Sequence, residues 1–217
     1  MRDLKIKEYV DLSFTFPEYE ELIERLVEEG KTTGPNQSES MAEYTRLNRQ
    51  RMHRLAKTVN IEADVRKVVS EVRRPMIWLI ITEAWCGDAA QNIPVIEKLA
   101  AESDRIETRY ILRDDNLELM DRFLTGGARA IPKLIAIDAR TFEILGTWGS
   151  RPAPAQELYL TRIAEGVEKP AIREEPQHWY NADKGRSLQH EFAALLNEWK
   201  RLPSARSATA LLNLALF

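Results

Sequence analysis

The sequence predicts a mixed α/β sheet with helices on both faces, and three observations lead there. Pro75-Met76-Ile77-Trp78-Leu79-Ile80-Ile81 is a short, almost wholly apolar run, as expected of a central strand covered on both sides. Segments of strand and helix character then alternate. The alternation closes with two strands joined by Asp138-Ala139-Arg140-Thr141, short enough for a hairpin, and a further helix.

Taken in order, Pro17 to Gly30 reads as a helix. Leu22, Ile23, Leu26 and Val27 recur at helical spacing, Pro17 suits a first turn, and Gly30 is a natural stop. Residues 31–37 form a polar, turn-forming link. A second helix, from about Met41 to Lys57, is capped by Ser38 or Ser40. Met41, Tyr44, Leu47, Met52 and Leu55 form its irregular apolar stripe, flanked by Arg46, Arg49, Arg51 and Arg54. Those arginines read either as a solvated face or as an anion-facing patch near a site. Ile61 to Arg73 is a third helix, with Val65, Val68, Val69 and Val72 inward.

After the apolar strand, Asp88 to Ala101 is helical despite Pro94, which removes one backbone hydrogen bond and bends the helix. Arg105 to Leu112 is a strand, and Asn116 to Leu124 a short helix closed by Gly126-Gly127. The hairpin strands are Pro132–Asp138 and Phe142–Gly146, and Ala155 to Glu168 is a helix. A last helix, around Leu188 to Leu202, belongs to a stretch carrying Trp179, Tyr180, Phe192, Leu195, Leu196 and Trp199. These are too many large apolar groups for a free tail, so this helix packs back on the domain. The apolar end, Ala208 to Phe217, reads as a docked or frayed terminus rather than a membrane anchor. The expected organisation is a helical extension over 1–60, a core domain over 61–170, and a helical extension with tail over 171–217.

Composition limits the function classes. An apolar fraction of 44% and a charged fraction of 30% describe an ordinary globular protein, and its 217 residues suffice for one packed domain with additions. With 31 Lys and Arg against 34 Asp and Glu, the net charge of −3 offers no electrostatic case for nucleic acid or an anionic membrane. No run approaches the roughly 18 apolar residues of a membrane span, and the N-terminus lacks a signal-peptide core. A cytoplasmic location is therefore expected. The three histidines, His53, His178 and His190, have no metal-ligand spacing with one another or with the single cysteine, Cys86, so no metal is expected.

Chemistry concentrates in Trp85-Cys86-Gly87-Asp88-Ala89. The order strand, aromatic-Cys-Gly, helix places a sulfur at a helix N-terminus, where amide groups and the helix dipole favour a thiolate. Ala89 stands where a redox pair would have its second cysteine.

Further features in register make the chain resemble the thioredoxin superfamily, specifically a bacterial thioredoxin-like subfamily with a WCGD motif. Pro94 falls eight positions after Cys86, where thioredoxins have a helix-kinking proline. Ala130-Ile131-Pro132, ahead of an apolar strand, looks like the family's cis-proline loop. Gly149 sits about where thioredoxins keep a glycine close to the active site. The resemblance covers about Ile61 to Glu168. It implies a thioredoxin-like fold with N- and C-terminal helical extensions, Cys86 as nucleophile, and substrate contacts from Trp85, Gly87, Asp88, Ile131 and Pro132.

Two departures restrict what the resemblance implies. Ala89 rules out an intramolecular dithiol cycle, and Ile80 occupies the place of the family's buried acidic residue. Glu83, at odd separation from Ile80, should face the other way if the strand persists that far. A monothiol still attacks disulfides of proteins or small molecules, with an outside thiol resolving the mixed disulfide. No bound cofactor is expected; a low-molecular-weight thiol would serve as co-substrate. At an ordinary pKa of ~8.5, about 3% of a thiol is ionised at pH 7. Asp88 would oppose ionisation, and reads either as a helix cap or as a proton acceptor for an incoming thiol. If Pro132 is cis, the Ile131 backbone is free to pair with an extended substrate. Trp85 and Trp148 would give an apolar rim, though core packing is the other role for Trp148. The competing assignments are a buried inert cysteine and a thioredoxin-fold module that binds a protein without redox chemistry.

Overall fold

The computed structural model describes residues 5–167 and 174–201. The proposed behaviour of the end, Ala208 to Phe217, lies outside them. Strands β1 (Met76–Thr82), β2 (Ile106–Leu112), β3 (Lys133–Asp138) and β4 (Ile144–Gly149) form a sheet in the order β2-β1-β3-β4. β1 runs parallel to β2 and antiparallel to β3, and β3 and β4 are an antiparallel hairpin. Every residue of β1 and β3 is buried. Side chains alternate across a strand, so helices must cover both faces of the sheet, as the apolar run at 75–81 predicts.

The helices are α1 (Ile6–Asp11), α2 (Phe16–Glu28), α3 (Glu39–Thr58), α4 (Ala63–Ser70) and α5 (Gly87–Ala100). After β2 come the single turn α6 (Leu117–Met120) and, beyond the hairpin, α7 (Ala153–Ala164), α8 (Glu174–Asp183) and α9 (Arg186–Trp199). α2 starts with a capping box. The Glu18 amide donates to the Thr15 hydroxyl, and the Thr15 amide donates to the Glu18 carboxylate at 2.7 Å. Its Tyr19 stacks on Tyr110 of β2 at 5.1 Å between ring centroids.

Several boundaries differ from expectation. α1 and α8 carry no strong apolar period and were not predicted. α6 stops after one turn, where the sequence reads a helix to Leu124, and α7 ends at Ala164 rather than Glu168. α3 buries Thr45 and Asn48 beside Met52, whereas Met41, Tyr44 and Leu47 are only half-buried. The apolar stripe misplaces this face because the two polar residues have buried partners. The Thr45 hydroxyl lies 2.6 Å from that of Thr32, and the Asn48 amide donates to the Ala84 carbonyl at 3.0 Å.

The C-terminal helix packs back as its aromatic content predicts. Phe192 of α9 is fully buried against Trp78, with ring centroids 5.1 Å apart, and also meets Trp148 and Trp199. Arg74 secures the end of this helix, donating to the Trp199 carbonyl while pairing with buried Asp138 at 2.7 Å. Glu191 of α9 accepts from Trp148 Nε1 and from the first amide of α7, tying both elements to it. α9 therefore belongs to the main core. Phe192→Ala should lower unfolding stability by about 3–5 kcal/mol in urea titration; a loss below about 1 kcal/mol would contradict this placement.

Candidate functional site

The site forms where β1 hands the chain to α5. Thr33 and Asn48 hold the connecting loop. The Ala84 amide donates to the Thr33 hydroxyl at 2.9 Å, and the Ala84 carbonyl accepts from Asn48. Glu83 is fully buried: its carboxylate accepts the Asp114 amide at 2.8 Å and also bonds Thr33. Burial pushes its carboxyl above the ordinary range. Among the described residues its bonds serve the loop rather than Cys86.

Cys86 itself is the N-cap of α5, with Sγ accepting from the Ala89 amide at 3.4 Å. Asp88 therefore does not cap the helix. The Ile131–Pro132 peptide is cis, and the Ile131 carbonyl accepts from Cys86 Sγ at 3.3 Å. The thiol takes one of the two lone pairs of that carbonyl. Gly149 closes the corner from β4. Its φ is +124°, and an added Cβ would overlap the Pro132 carbonyl oxygen, so the position admits only glycine.

Trp85, half-buried, has the Arg113 guanidinium over its ring at 4.9 Å. Trp148 lies in the aromatic core rather than on a rim. Gly87 faces Gln177 Nε2 and Arg51 Nη1, at 3.4 and 3.8 Å from the position of an added Cβ. The arginines of α3 divide. Arg46 and Arg49 pair with Glu43 and Glu24, whereas Arg51 and Arg54 lean toward the site and α8.

Asp88 has the partners that sequence reasoning missed. Its carboxylate pairs with Arg151 at 2.6 Å, both side chains being 15% exposed, and accepts from the Tyr180 hydroxyl at 2.9 Å. Asn92 donates to that hydroxyl at 3.0 Å and to the Asp88 carbonyl. Arg151 follows Gly149 by two positions, so the glycine's place beside the site was an available signal for it. Tyr180 is legible only as one of the large apolar groups of the C-terminal stretch, because α8 has no apolar stripe to place it at the site.

These surroundings decide the protonation of Cys86. It is 7% exposed, and its pKa is pushed up to about 12, first by burial and then by the Asp88 charge. The Ala89 amide and Arg151 pull the other way and lose. The expectation that the helix N-terminus favours a thiolate is thus corrected: desolvation outweighs the dipole. Burial likewise pushes Asp88 up, against Arg151 and Tyr180.

Among the described residues, no cluster of three or more His, Cys, Asp or Glu side chains could hold a metal ion, and no helix is long and apolar enough to cross a membrane.

A family model described as Thioredoxin matches residues 34–169. No curated protein matches the sequence. Among solved structures, an HIV epitope-scaffold is similar at a TM-score of 0.55 and 16% identity, over 88% of this chain and 96% of that one. At that identity the likeness concerns the fold alone. A protein of unknown function from Pseudomonas aeruginosa aligns at a TM-score of 0.48 and 17% identity, over 86% of this chain and 99% of that one.

Three outcomes are expected from this geometry. Cys86 should titrate well above pH 9 when thiolate absorbance is followed in the folded protein; half-titration near pH 7 would contradict it. The raised folded pKa also stabilises the fold fully below the unfolded thiol's ordinary range of about 8.5 to 9, and this contribution is lost as pH climbs toward 12. Cys86→Ala should therefore lose less stability than the unmutated protein between pH 9 and 11, compared by urea midpoints. Separately, Gly149→Ala should cost on the order of 2 kcal/mol or more in the same assay.

Proposed function

This chain belongs to the thioredoxin family, and we propose that it acts in the cytoplasm as a monothiol thiol–disulfide oxidoreductase. The Cys86 thiolate attacks one sulfur of a substrate disulfide, R–S–S–R′. The bond Cys86–S–S–R forms, the old S–S bond breaks, and R′–S⁻ leaves and takes up a proton. With one cysteine in the chain, resolution falls to an external thiol, R″–SH. It attacks the mixed disulfide, forms R–S–S–R″, and returns Cys86 to the thiol. A low-molecular-weight thiol fits the co-substrate role, and protein or small-molecule disulfides fit the substrate role. Ile131 and Pro132 would position the substrate, with Trp85, Gly87 and Asp88 beside it.

One observation carries this reading. The sulfur caps α5 and lies 3.3 Å from the Ile131 carbonyl that precedes a cis proline, so the attacking atom and the substrate shelf share one corner. A second reading is a protein-binding module without redox chemistry. It is favoured by the upward shift of the thiol and by the pairing of Arg151, a cation beside the site, with Asp88 instead of the sulfur.

Turnover of a small disulfide in the presence of excess thiol separates the two. The unmutated protein should accelerate the exchange, and Cys86→Ser should fall to the uncatalysed rate. If the unmutated protein gives no acceleration while partner binding is unchanged in Cys86→Ser, the oxidoreductase assignment fails.

A further inference from the structure

We propose that α8 is a strap latched over the Cys86 site, and that a substrate disulfide reaches the sulfur when Tyr180 releases Asp88. The inference rests on the reading of Cys86 as an exchanging thiol and names what regulates it.

The two C-terminal helices are held by different forces. α9 is anchored by apolar burial, with Leu188, Phe192 and Leu196 fully buried and Trp199 against Trp78. Its start is fixed as well: an added Cβ on Gly185 would come within 2.9 Å of Val95 Cγ2 on α5. In α8, the described residues that are buried are Pro176 and Tyr180. Its grip on the site is polar. Tyr180 donates to Asp88 at 2.9 Å, Gln91 of α5 donates to Gln177 at 2.7 Å, and Arg54 of α3 donates to Asn181 at 3.3 Å. Water can replace each of these bonds, which leaves the buried Tyr180 ring as the main apolar hold of α8, against Leu188, Phe192, Leu196 and Trp199 for α9.

The junction suits such a motion. Lys184 and Gly185 both have positive φ, 56° and 79°, breaking the chain sharply between the helices. Across it Ser187 bonds the Asp183 carboxylate and Arg186 donates to the Ala182 and Asp183 carbonyls, polar bonds that rotation there exchanges for water as α8 moves and α9 stays docked. Gln177 lies over Gly87 and Tyr180 over Asp88, the two residues that follow Cys86. Lifting α8 admits water to the Asp88–Arg151 pair and to the N-terminal turn of α5. That removes part of the desolvation keeping the sulfur protonated, and opening and activation become one event.

The test measures the rate at which iodoacetamide alkylates Cys86 in the folded full-length chain, alongside exchange with oxidised glutathione and hydrogen exchange of α8 amides. Tyr180→Phe keeps the ring and removes only the latch hydroxyl. It loses the bond to Asp88 and the bond from Asn92, and should raise the alkylation rate by at least about fivefold. α8 amides should exchange faster while β1 protection stays unchanged, and Gln177→Ala should act in the same direction. Equal alkylation rates in the folded variants would overturn the strap. So would a faster rate with unchanged α8 exchange, because Tyr180 would then act through the charge on Asp88 alone. Glutathione exchange distinguishes the two readings. Faster alkylation with no exchange in any variant keeps the strap and removes the oxidoreductase reading. Equal exchange in all variants removes the strap and keeps that reading.

Discussion

The sulfur of Cys86 and the carboxylate of Asp88 stand two residues apart under one cover, and the local structure is organised so that only one of them is charged. Burial raises both groups, but only Asp88 has a cation in contact, Arg151 at 2.6 Å. The sulfur has weaker support, from the Ala89 amide at 3.4 Å, and its hydrogen goes to the Ile131 carbonyl. A helix N-terminus contributes only a fraction of a unit charge, so it cannot offset full desolvation beside a carboxylate. Cys86 is therefore held as a thiol in this arrangement.

The cover and its supports come from both ends of the chain. Thr33 and Asn48 fix the loop before Cys86, and Tyr180 and Gln177 sit over the first turn of α5 after it. α9 joins the aromatic cluster of Trp78, Trp148 and Phe192, so its packing is that of a core element. Helices outside the thioredoxin-like pattern thus do two kinds of work. Apolar ones complete the core, and polar ones set the environment of a single side chain.

Much of the fold was legible because it rests on periodicity. The wholly apolar β1, the hairpin of β3 and β4, and the packed aromatic helix α9 each have a local pattern that tertiary contacts reinforce. The sulfur at the head of α5, the cis Ile131–Pro132 bond and the close Gly149 were legible as one constellation. What escaped was set by long-range polar pairing. Thr45 and Asn48 look like surface residues in sequence, yet they are buried because Thr32 and Ala84 meet them. α8 lacks an apolar stripe, so nothing local announced that Tyr180 would reach Asp88 across 92 positions. The thiolate expectation failed for the same reason. A sequence shows the helix dipole but not the burial that overrules it.

The most direct measurement is intact and peptide mass spectrometry of the unmutated protein taken from cells, with thiols trapped at the moment of lysis. The account predicts a fraction of molecules carrying a small thiol or a protein on Cys86, released by added reductant. Cys86 recovered as a free thiol in every molecule, even after the cells meet a disulfide stress, would contradict it.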